Sequence, residues 1–89
     1  MRFLVMWEHW GGEGDAIPLM RDDLQSGTLV DWGAFAGGGR GFAIVKANDE
    51  LELLALLSKY RKFDIRAVDI EPIISLDQIE RALGRRKAD

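Results

Sequence analysis

The chain has 89 residues, 47% of them apolar and 30% charged, with a formal net charge of −3, which suits one small folded domain rather than a disordered chain. It holds no cysteine, so disulfides, thiolate zinc sites and cysteine nucleophiles are excluded. Nucleic-acid binders usually carry a basic footprint, whereas the one basic cluster here is Arg85-Arg86-Lys87 beside Asp89, so nucleic acid is not expected as a partner.

Residues 2–8 read as a strand, with Phe3, Val5 and Trp7 on one face and Leu4 and Met6 on the other. Both faces are apolar, the mark of a strand covered on both sides. A glycine-rich loop follows, and Asp15 suits the N-cap of a first helix reaching Ser26. Pro18 is then tolerated in the first turn. Ile17, Met20 and Leu24 form its expected buried stripe, Arg21, Asp22, Asp23 and Gln25 its wet face, and Gly27 its stop.

The second strand, residues 28–36, is interrupted by Asp31. Residues 37–41, GGGRG, read as a loose hairpin turn, and residues 42–46 as a third strand, again apolar on both faces. Asp49 and Glu52 suit a capping box for a second helix, which carries five leucines, more than one stripe needs. Residues 65–73 form the fourth strand, with Pro72 near its end. Ser75 and Gln78 make a second capping box for a short third helix whose expected buried stripe is Leu76, Ile79 and Leu83, ended by Gly84.

The order is β-α-β-β-α-β, a ferredoxin-like α+β domain with an added helix and a four-stranded antiparallel sheet. In that topology the first and third strands are central. These are the two strands that are apolar on both faces, while the charged second and fourth fall at the edges. The expected organisation is one domain over residues 1–84 and a flexible basic tail at 85–89. Two helices cover only one sheet face, so the other apolar face predicts packing against a second copy of the chain.

Trp32 with Gly37-Gly38, then Gly41-Phe42-Ala43-Ile44-Val45, the Asn48-Asp49 helix start, Phe63-Asp64-Ile65 and Ile70-Glu71-Pro72-Ile73 together resemble an uncharacterised prokaryotic family of the dimeric α+β barrel superfamily, to which muconolactone isomerase is similar in shape. The resemblance spans Met1 to about Ile74. It implies two sheets packed face to face with helices outside, and no particular activity, since the superfamily spans isomerases, monooxygenases and plain ligand binders.

His9 is the only histidine and ends the first strand in phase with Trp7, well placed for a general base. Asp31 and Asp69 sit inside apolar strands, where a carboxylate can serve as acid or base; as edge-strand charges they need no catalytic role. Trp7, Trp10, Trp32 and Tyr60 can line an aromatic pocket, and Arg40 can reach an anionic ligand from the hairpin. Glu8, His9 and Glu13 lack a recognised metal-ligand spacing. Gly11-Gly12-Glu13-Gly14 has Ile17 where the dinucleotide fingerprint needs glycine. No metal or cofactor is expected.

The N-terminal apolar run of five residues is too short for a signal-peptide core, and no stretch nears the roughly 20 apolar residues of a membrane span. A cytoplasmic protein is expected, a homodimer binding a small aromatic or apolar molecule between sheet and helices. The alternatives are a cofactor-free isomerase or monooxygenase using His9 with an edge-strand carboxylate, and a purely structural module. Whether it is an enzyme is left open by the sequence.

Overall fold

The computed structural model describes residues 1–9 and 13–84. Its elements are β1 (Arg2–His9), α1 (Glu13–Ser26), β2 (Leu29–Ala34), β3 (Arg40–Lys46), α2 (Glu50–Ser58), a 3₁₀ turn (Arg61–Phe63), β4 (Ile65–Ile73) and α3 (Leu76–Ala82). The sheet is antiparallel in the order β2-β3-β1-β4. This is the expected ferredoxin-like α+β arrangement, with the doubly apolar strands in the middle. Trp10, the start of the glycine loop and the basic tail lie outside the described residues.

Burial alternates along the central strands because successive side chains point to opposite faces. Phe3, Val5 and Trp7 of β1 and Ala43 and Val45 of β3 are buried under the helices, whereas Leu4, Met6, Phe42 and Ile44 on the reverse face are half-buried. Among the described residues no helix covers that reverse face as α1 and α2 cover the other.

Three helices differ from expectation. The first starts at Glu13, two residues before the expected cap, so Asp15 is a helical residue and not a cap, and Pro18 lies inside the helix. Proline there leaves the Gly14 carbonyl without its intrahelical donor; Gly14 is exposed, where water can serve. The inward stripe of α1 is Ala16, Leu19, Met20 and Asp23, while Ile17 and Leu24 are exposed. Ala16, Met20 and Asp23 still follow helical spacing, but the stripe is rotated by about one residue because a carboxylate takes part in it. In α2 only Leu53 is buried, and Leu51 and Leu54 are exposed.

The two caps behave differently. Asp49 accepts from the Glu52 amide at 2.8 Å, but the Glu52 carboxylate accepts from Asn48 Nδ2 instead of closing a box. The Ser75–Gln78 box is complete. Yet the expected burial of Leu76, Ile79 and Leu83 does not occur; they are 71%, 37% and 64% exposed. The helix stands off the body, and the radius of gyration of 15.1 Å exceeds the roughly 12 Å of a compact chain this long.

Candidate functional site

The helix-facing side of the sheet owes its shape to small residues on β3. Trp7 pairs across from Gly41 on β3, and Trp32 on the other flanking strand pairs across from Ala43. With almost no side chain between them, the two indoles meet over β3 and stack, 4.9 Å between centroids and 25° apart. A Cβ at Gly41 would overlap the Trp7 ring and the Gly33 carbonyl. Gly41 was expected in the hairpin turn; it is a strand residue and the floor under Trp7. The hairpin's positive φ falls at Gly38 and Gly39.

The aromatic row continues at both ends. His9 lies 5.7 Å from Trp7, and Tyr60 lies 5.5 Å from Trp32. Trp7, Trp32 and Tyr60, with Leu57, Ile65 and Asp23, border a small cavity of about 20 Å³ between sheet and helices, room for about one water. Trp7 is 2% exposed. Its indole Nε1–H is buried and has no hydrogen-bond partner among the described residues, which is a costly state for a polar group.

The polar end of the cavity is a linked trio. The Tyr60 hydroxyl donates to Asp23 Oδ2 at 2.6 Å, and Lys59 Nζ donates to both carboxylate oxygens at 3.1 and 3.2 Å. Asp23 is 8% exposed, so burial without these donors would be prohibitive. Burial, then the hydrogen bond to Asp23 and its charge, push the Tyr60 hydroxyl well above its ordinary pKa. Tyr60 is therefore a fixed donor, unsuited to act as a base at neutral pH. The trio ties α1 to the turn that follows α2.

Asp23 was read from the sequence as a solvated residue of α1. Its only sequence signal is helical phase with Ala16 and Met20, and its meaning depends on Tyr60, 37 residues away. Among the other expected site residues, His9 lies on the helix-facing side, opposite Ile65. Asp31 and Asp69 lie on the reverse face, opposite Ile44 and Met6 respectively. Both are exposed, and Asp31 accepts from the Trp32 amide at 2.8 Å. The sheet thus stands between the imidazole and both carboxylates. Arg40 is exposed at the start of β3, also away from the cavity. Trp7, Trp32 and Tyr60 come together as an aromatic lining; Trp10 lies outside the described residues.

Among the described residues no cluster of three metal-ligating side chains occurs, and no helix is long and apolar enough to cross a membrane. In comparison with known proteins, a family model described as "Domain of unknown function (DUF3303)" matches residues 1–87. Neither a curated protein nor a solved structure matches the chain.

Proposed function

The chain belongs to the DUF3303 family, and from that premise and its geometry we propose that it binds a small aromatic or apolar molecule carrying a hydrogen-bond acceptor, in the cavity between sheet and helices. One observation carries the reading: the buried Trp7 Nε1–H faces no acceptor among the described residues beside an aromatic wall already built from Trp32 and Tyr60. A ligand acceptor would satisfy the indole while its body stacks on the rings. The cavity as it stands holds about one water, so entry requires Trp32 to swing outward. Trp32 is half-exposed and sits on an edge strand, where such movement disturbs least.

The same reading includes a homodimer in the manner of an α+β barrel. Leu4, Met6, Phe42 and Ile44 form an apolar block on the face away from the helices, and a second copy is the common partner for such a patch.

The test is a titration of tryptophan fluorescence with a panel of aromatic acids, quinones and haem. The expected result is saturable quenching by at least one compound, with Trp7→Phe weakening it about tenfold, one neutral hydrogen bond's worth. Flat fluorescence and an unmoved thermal midpoint across the panel would sink the proposal.

A further inference from the structure

We propose that the reverse sheet face takes the second copy with the two sheets crossed near right angles, so that Arg2 and Lys46 of one copy meet Glu71 and Asp69 of the other. This rests on the homodimer proposed above and adds to it an orientation and a set of partners.

The strand register fixes the charge map of that face. Residues directly opposite share a face, so reading β2, β3, β1, β4 across the sheet gives successive rows. One row is Asp31, Ile44, Leu4, Glu71; the next is Gly33, Phe42, Met6, Asp69. Beyond the first lie Lys46 and Arg2, and beyond the second Arg40, Glu8 and Arg66. The centre is apolar. The lateral edges are acidic, and the strand ends are mainly basic.

A two-fold dimer must bring this face onto itself, and the charges discriminate among the ways. An axis along the strands sets Arg2 over Lys46 and Asp31 over Glu71. An axis across them sets Lys46 over Arg40 and Asp69 over Glu71. Each sets two kinds of like-charge pair against one of opposite charge, Arg40 over Glu8 in the first and Arg2 over Glu8 in the second, a costly balance. A diagonal axis turns the partner's strands by about 90°, one of the two preferred sheet packings, and lays basic ends on acidic edges.

Of the two diagonals, the one through Ile44 and Met6 brings Lys46 to Asp31 and Arg40 to Glu71, but it lays Glu8 over Asp69 and sets Arg66 on its own copy. The one through Leu4 and Phe42 places Arg2 over Glu71, Lys46 over Asp69 and Ile44 over Met6, each twice by symmetry. Its one like-charge approach is Glu8 towards Asp31, and Glu8 is flanked on its own sheet by Arg40 and Arg66. The two diagonals match in opposite-charge pairs, and the second is selected because it keeps Arg66 off its own copy.

The test is a charge-reversal cycle on the full chain at low salt, read by sedimentation equilibrium, with circular dichroism confirming each fold. Arg2→Glu and Glu71→Arg should each weaken the dimer about tenfold or more, and the double variant should recover most of the loss. Lys46→Glu with Asp69→Lys provides an independent second cycle should one variant fail to fold. A stable dimer indifferent to the single changes, or weakened singles without recovery, overturns the crossed arrangement and leaves the dimer standing. A wild-type monomer at every concentration overturns both.

Discussion

Asp23 and Tyr60 show how much one buried carboxylate can organise. Removing Asp23 strands the Tyr60 hydroxyl, and removing that hydroxyl leaves the buried carboxylate with Lys59 alone. Tyr60→Phe should cost about 1.5–3 kcal/mol, the value of a hydrogen bond to a charged group, read by urea denaturation at pH 7. Alkaline titration adds a signed test. The Tyr60 hydroxyl has its pKa raised in the fold, so the folded state resists losing that proton. Its contribution is complete below the unfolded tyrosine value near 10 and is lost progressively as pH rises beyond it. Wild-type stability should therefore fall above about pH 10, and Tyr60→Phe should flatten that fall. An unchanged alkaline slope would mean the hydroxyl is solvated. At Gly41, an added methyl meets the Trp7 ring and the Gly33 backbone. Gly41→Ala should cost about 1–3 kcal/mol through overpacking and shift the tryptophan emission; silence in both would show that the indoles do not rest on β3.

At the scale of elements, the strands were legible in the sequence and the helix faces were not, for a physical reason. A strand has only two faces, and in β1 and β3 both were apolar, so position in the sheet followed from composition alone. A helix can rotate by one residue, and α1 does so to bury Asp23 in place of Leu24. Only the partners on the following turn explain that choice. The cavity was legible in kind, through Trp7, Trp32 and Tyr60. Its floor was hidden because Gly41 belongs to a run of glycines that reads as a turn. For α3, local signals were correct: its capping box forms and Gly84 ends it with φ 68°. Tertiary burial is a separate matter that periodicity cannot supply. With its apolar residues exposed, α3 adds little to the body of the chain. Deleting residues 75–89 should leave the thermal midpoint of the remaining chain within about 5 °C, a shift that corresponds to about 1 kcal/mol or less in a domain this size. A larger drop would assign α3 a packing role.

At the scale of the whole molecule, β1 and β3 each serve two surfaces. Trp7 and Val5 face the cavity while Leu4 and Met6, their neighbours in sequence, face away. A chain of this length buries only about 60–65% of its unfolded surface on folding, so the reverse face is a substantial part of what it has left to bury. If that burial occurs between copies, association is linked to folding and stability depends on protein concentration. A tenfold rise in concentration is worth about 1.4 kcal/mol per dimer, or half that per chain, which corresponds to about 3–6 °C in thermal midpoint for a domain of this size. Scanning calorimetry across two decades of concentration should show this climb. Leu4→Asp, which places a carboxylate at the centre of the reverse face without touching the cavity, should abolish it and lower the midpoint. A midpoint independent of concentration in the wild type would mean that the chain folds alone, with its apolar block left to a partner other than itself.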